Sequence, residues 1–172
     1  MLTRAMLLAQ LVVLLWSFPA FADSDAQNDK KALAAFMASD VVAKFHKSAY
    51  GYAIFPKVTK AGLGVGGAAG RGIVYKGNIA VGSSKLKQAS IGLQAGGQQY
   101  SEVIFFENKE AFDRFTSGKL KFDAQASAVA ITEGASADMA YSSGVAVFTR
   151  IKGGLMYEAS IGGQHFTFDP VQ

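Results

Sequence analysis

Across residues 25–46, apolar side chains recur every four positions at Leu33, Met37, Val41 and Phe45, with Phe36 widening the stripe and Lys30, Lys31, Lys44 and Lys47 bordering it. This spacing predicts one amphipathic helix. Such a stripe either packs on a core or lies on a membrane, and the first use is the commoner. From Tyr50 the period becomes two. Tyr52, Ile54, Leu63, Val65, Ile73, Tyr75, Ile91 and Leu93 alternate with small or polar residues, and Gly77-Asn78 offers a turn between strands. Val103-Ile-Phe-Phe106 is apolar on both faces, as a strand buried between layers requires. Asn108 is placed to cap a short helix through Thr116, with Glu110 in its first turn, Ala111, Phe112 and Phe115 on its buried side and Gly118 to end it. Strand patterns return at residues 120–122, 128–132, 144–151 and 155–162. Together these elements predict an α+β fold: an N-terminal helix followed by a largely antiparallel β-sheet or sandwich with one short inserted helix.

Residues 1–22 have the make-up of a secretory signal peptide. Arg4 supplies a positive start, Ala5 to Phe18 is almost wholly apolar, and Ala20-Phe21-Ala22 is a small-x-small cleavage box before Asp23. The apolar run is too short to span a bilayer comfortably. The expected organisation is therefore a signal peptide at 1–22 and a single domain at 23–172, which no Pro-rich or Ser-rich linker divides. The expected address is periplasmic or secreted, with peripheral membrane association. The chain has no Cys, which rules out disulfides and a lipid-modified cysteine. A domain of this size buries about 68–70% of its unfolded surface and does not need them.

Charge is distributed unevenly. The formal net charge is +4, yet between Asp40 and Glu102 there are eight cations (Lys44, Lys47, Lys57, Lys60, Arg71, Lys76, Lys85, Lys87) and no Asp or Glu. From Glu102 onward, nine acidic residues outnumber six basic ones. The cations of the acid-free stretch must pair with that later half, stand in water, or meet an anionic partner. Export makes a membrane surface the expected partner and nucleic acid an unexpected one. Glycines in Gly62-Leu-Gly-Val-Gly-Gly67 and Ile91-Gly-Leu-Gln-Ala-Gly-Gly97 imply close approach of a neighbouring backbone, a bend or a ligand, and Ala159-Ser-Ile-Gly-Gly-Gln164 echoes them.

Signals for catalysis are missing. The two histidines, His46 and His165, are far apart, without Cys or an H-E-x-x-H arrangement that could build a zinc centre. No G-x-S-x-G elbow is present. Gly62, Gly64 and Gly67 match G-x-G-x-x-G, but turn and strand residues follow in place of the helix that must hold a pyrophosphate. Glu107 and Glu110 suit a solvated or capping role better than an acid/base pair. No enzymatic activity, cofactor or metal is expected.

Several blocks in order carry a resemblance to a known family. Gly51-Tyr-Ala-Ile-Phe-Pro-Lys-Val-Thr-Lys60, Gly66-Gly-Ala-Ala-Gly-Arg-Gly-Ile-Val-Tyr75, Ala89-Ser-Ile-Gly-Leu-Gln-Ala-Gly-Gly97, Phe105-Phe-Glu-Asn-Lys109 and Ala124-Gln-Ala-Ser-Ala128 resemble the successive blocks of the SYLF domain. The resemblance as a whole extends over about Leu33 to Phe168. The resemblance implies a phospholipid-binding module without catalysis. In endocytic adaptors such domains bind phosphoinositides and, in some members, actin, whereas bacteria have exported stand-alone versions. No appended Src-homology-3 domain is expected, and export would remove cytosolic actin and phosphoinositides as partners.

The expected function is non-catalytic binding of anionic phospholipid or a membrane surface through the basic, Gly-rich β region. Lys57, Lys60, Arg71 and Lys76 flank the Gly-rich strands, with Lys85 and Lys87 in support. Arg71 stands between Gly70 and Gly72, which leaves its guanidinium free to grip phosphate in a forked geometry. The alternative is a structural or adaptor role, binding another envelope protein or a second copy; it predicts attachment that survives high salt.

Overall fold

A period-two pattern broken by glycines dictates long strands that must bend, and residues 51–106 form them. A computed structural model of the chain describes residues 21–122, 127–130, 140–151 and 159–171. Most of the expected signal peptide, and parts of the strands expected at 128–132 and 155–162, lie outside the described residues. Among the described residues there are three helices and six strands, an α+β architecture with a largely antiparallel sheet.

Strands β1 (Gly51–Lys76) and β2 (Ile79–Phe106) pair antiparallel from Gly51 opposite Phe106 to Lys76 opposite Ile79. The turn between them holds Gly77 at φ 57°, a conformation glycine adopts without strain. The two ends of this ribbon have different neighbours. The first part of β2 pairs with β6 (Gln164–Pro170), and its last part pairs with β4 (Val145–Ile151). β3 (Ser127–Ala130) runs parallel to β4 and pairs antiparallel with β5 (Ala159–Ser160).

The ribbon doubles back, so that one half of β1 lies against the other. A methyl group built on Gly72 would lie 2.1 Å from the carbonyl oxygen of Ile54, and one on Gly51 would lie 2.5 Å from that of Tyr75. Only glycine permits such an approach. This produces an inner core between the layers, containing Phe55, Val74, Leu86, Ile104, Phe106 and Phe166. An outer core forms on the other face of the β1–β2–β4 layer, where Ile54, Val103, Phe105 and Phe148 meet the N-terminal helices. Val103 to Phe106 thus alternate between two cores, which accounts for a strand apolar on both faces.

The N-terminal segment is two helices, which corrects the expectation of one across 25–46. α1 (Phe21–Met37) ends when the Ser39 amide bonds the Phe36 carbonyl at 3.0 Å, and α2 (Asp40–Ser48) begins after Ser39 turns extended. Ser39-Asp40 is a helix-start signal inside the four-residue recurrence. The break lets Phe36 from α1 and Val42 and Phe45 from α2 enter the same outer core, so the stripe packs on the protein itself.

The inserted helix, α3 (Lys109–Thr116), forms as the pattern dictates. The Asn108 side chain accepts a hydrogen bond from the Ala111 amide at 3.0 Å, and Gly118 follows at φ 69°. The strand expected at 120–122 does not form. The amides of Lys119 and Leu120 both turn onto the Arg114 carbonyl, and Leu120 packs into the inner core. Replacing Asn108 by Ala is expected to cost about 1 kcal/mol of stability, read as a lower urea midpoint at unchanged slope.

Candidate functional site

Pro56 initiates the site. It cannot donate a ladder hydrogen bond, and it falls where the β1–β2 register breaks between Phe55 and Val58. Phe55 pairs with Glu102 and Val58 with Tyr100, so β1 carries one extra residue there. A bulge of this kind exchanges the faces of everything that follows. Strict alternation from Phe55 would aim Lys57 inward and Lys60 outward; in the structure Lys57 is exposed and Lys60 is buried at 6% exposure. The Ser101 hydroxyl fixes the bulge by donating to the Pro56 carbonyl at 3.0 Å.

Around this bulge lies a cleft of about 550 Å³. Asn28, Lys31, Ala32 and Ala35 form one wall, and their i, i+3, i+4, i+7 spacing places them on one face of α1. Pro56, Lys57 and Arg71 come from β1, Ser101 from β2, and Arg150 and Ile151 from β4. Arg150 reaches the cleft because its register partner is Ser101. Lys31, Lys57, Arg71 and Arg150 therefore surround one cavity whose lining contains no acidic residue among the described residues. The two alanines leave it open.

A second cavity of about 170 Å³ shares Pro56 and Arg71 and adds Asp29, Gly72, Ser83, Ser84 and Lys85. Asp29 is 2% exposed. Its carboxylate lies close enough to raise the phenol pKa values of Tyr52 and Tyr75. Burial is the larger cause in both, and that of Tyr52 is pushed up to about 12. The two rings stack 4.8 Å apart.

The six cations expected to bind lipid are distributed as follows. Lys57 and Arg71 share the main cleft, and Lys85 joins Arg71 at the smaller cavity. Lys85 is also the cross-strand partner of Arg71 and pairs with Asp169 at 3.7 Å, an exposed ion pair worth little. Lys87 lies on the same exposed face, opposite His165. Lys76 is at the far end of the ribbon, its ammonium 5.3 Å from the centre of the Tyr50 ring. Lys60 is interior, burial lowers its pKa, and it makes no ion pair among the described residues. Sequence reasoning placed Lys31 only at the edge of a helix stripe and missed Arg150, which stands in the acid-rich half. No charge pattern marks Arg150; only the β2–β4 register brings it to the cleft.

Directly inside the sheet from the cleft, Glu102 is 0% exposed. Burial pushes its carboxyl up to about 7, against a smaller downward effect of the hydrogen bond from Gln164 at 3.0 Å. His46 stands apart on α2, 5.0 Å from the Tyr52 ring, with its pKa lowered by burial, while His165 is exposed on β6. Among the described residues no group of three or more His, Cys, Asp or Glu could hold a metal, and no helix is long and apolar enough to cross a membrane.

A doubled-back β-ribbon under a helical cover, with a basic cleft at its bulge, has the form of a binding domain. Residues 87–170 match the family model described as Ysc84, Las17-binding protein actin regulator, a domain of the SYLF family. The family is one of binding domains, associated with lipids and proteins. Beta cell expansion factor A of Aeromonas veronii is 32% identical over 124 residues, covering 70% of this chain and 46% of that protein. The chain spans about half the length of this relative. The family match includes Arg150 and stops short of Lys57 and Arg71.

Proposed function

We propose that the protein binds anionic phospholipid headgroups at a membrane surface, reversibly and without catalysis, through the cleft of Lys31, Lys57, Arg71 and Arg150. The observation that carries this reading is the convergence of these cations from α1, β1 and β4 on a ligand-sized cavity with no acid among the described residues of its lining. Arg71 and Arg150 supply forked donors that match phosphate oxygens, and the lysines supply point charge. Lys85 and Lys87 extend the positive face outward from Arg71. With residues 1–22 acting as a cleaved signal, the site of action is the periplasm or the cell exterior, and attachment is peripheral.

Cosedimentation of the purified protein with phosphatidylglycerol and phosphatidylcholine vesicles tests this. Binding is expected to the first only, and to weaken steeply as salt shortens the Debye length from about 10 Å at 0.1 M to about 3 Å at 1 M. Equal binding to both vesicles, or binding to neither, sinks the proposal. An attachment to envelope material that survives the higher salt supports the adaptor role instead.

A further inference from the structure

The floor of the cleft and the surroundings of Glu102 are made from neighbouring residues. The register partners of Glu102 are Phe55 on β1 and Thr149 on β4. Ser101 precedes Glu102, Pro56 and Lys57 follow Phe55, and Arg150 follows Thr149; all four line the cleft. Side chains alternate across a strand, so the carboxyl and the cleft lie on opposite faces of one sheet layer.

On its own face the carboxyl has no compensating cation among the described residues. Gln164 Nε2 on β6 donates to Glu102 Oε2 at 3.0 Å, while Glu102 Oε1, Thr149 Oγ1 and Gln164 Oε1 are buried without hydrogen-bond partners among the described residues. Tyr100, two residues away on β2, stays neutral because burial and Glu102 both raise its pKa. Lys60 on β1 points into the same interior without pairing with Glu102. β4 presents Thr149 and β6 presents Gln164 there, with the neighbouring Arg150 and His165 turned to the exposed face. A buried carboxylate in these surroundings is costly, and taking up a proton removes the cost. The positive charge of the cleft lies on the other face, across the thickness of the sheet.

We infer that a proton on Glu102 and an anion in the cleft bind cooperatively, so that the protein grips an anionic surface more tightly as pH falls. This regulation rests on the reading of the cleft as an anion site. An anion bound on one face raises the cost of a carboxylate on the other, and linkage makes the effect reciprocal. The working range lies around neutral pH, where burial has placed this carboxyl. The same shift makes folding pH-dependent. Its stabilising contribution is fully present below the unfolded value of 4.5 and is lost as pH rises through about 7.

The test is binding to phosphatidylglycerol vesicles at about pH 5.5 and about pH 8 at fixed salt, for the wild type and Glu102→Gln. The amide keeps the shape of a protonated carboxyl and an acceptor for Gln164. The wild type is expected to bind about five- to tenfold more tightly at the lower pH, and the variant to hold the low-pH affinity at both. A variant that keeps the wild-type ratio, or a wild type indifferent to pH, overturns the coupling and leaves the anion site standing; absence of binding at both pH values removes both. Where Glu102→Gln fails to fold, proton uptake by the wild type on vesicle binding near pH 7 decides, since an uptake of about half a proton is expected and none overturns the inference.

Discussion

Reversing Lys31, Lys57, Arg71 and Arg150 together to Glu is expected to abolish binding to phosphatidylglycerol vesicles. Each Lys or Arg held at an anionic bilayer contributes about 1 kcal/mol, so loss of four removes about 4 kcal/mol, or about a thousandfold in affinity. Reversal adds repulsion to that loss. The control carries the same change of charge on the exposed Lys44, Lys47, Lys119 and Lys121, which line neither the main cleft nor the smaller cavity beside it. It is expected to weaken binding several-fold at most. Circular dichroism must show both variants folded. If the two sets lose binding equally, attraction depends on total charge and the cleft is not a defined site. Lys60 and Lys76 are left out of the first set because one is buried and the other lies at the far end of the ribbon.

Much of the fold follows from local pattern. The two-sided apolar run at Val103 to Phe106 marks the strand between the cores, Asn108 and Gly118 bracket α3, and Gly77-Asn78 turns the ribbon. These features depend on residues within a few positions of one another, which is why sequence displays them. The break between α1 and α2 was displayed too, in Ser39-Asp40, but a four-residue apolar recurrence running through it concealed the signal.

The site was less legible, for reasons that are physical. Its charge was visible as an acid-free stretch, but its membership depends on a single inserted residue and on long-range register. The bulge at Pro56 decides that Lys57 faces out and Lys60 faces in, and alternation alone gives the opposite answer. Arg150 belongs to the cleft because β4 pairs with β2, a contact across about fifty positions of chain that no local spacing encodes. Lys31 arrives through the docking of α1, whose small residues Ala32 and Ala35 leave the space between helix and sheet.

Gly72→Ala is expected to cost about 3 kcal/mol or more, the largest effect on stability of any single methyl group considered. The added carbon would lie 2.1 Å from the Ile54 carbonyl oxygen and 2.7 Å from a ring carbon of Phe55. Neither neighbour can move cheaply. Ile54 is held in the ladder opposite Val103 and buried in the outer core, while Phe55 is buried in the inner one. Relief requires the two halves of the ribbon to separate, which parts the cores and also moves Arg71 away from Pro56 and Lys57. Gly97→Ala is the matched control, because its methyl group would meet only the Lys60 carbonyl oxygen at 3.9 Å, an ordinary contact. Urea denaturation should therefore show a large fall in midpoint for the first variant and a change within about 0.5 kcal/mol for the second. Just below its own melting point, Gly72→Ala should also bind anionic vesicles more weakly than wild type. Equal stability of the two variants would mean that the ribbon does not close on itself at Gly72, and the cleft built on that closure would go with it.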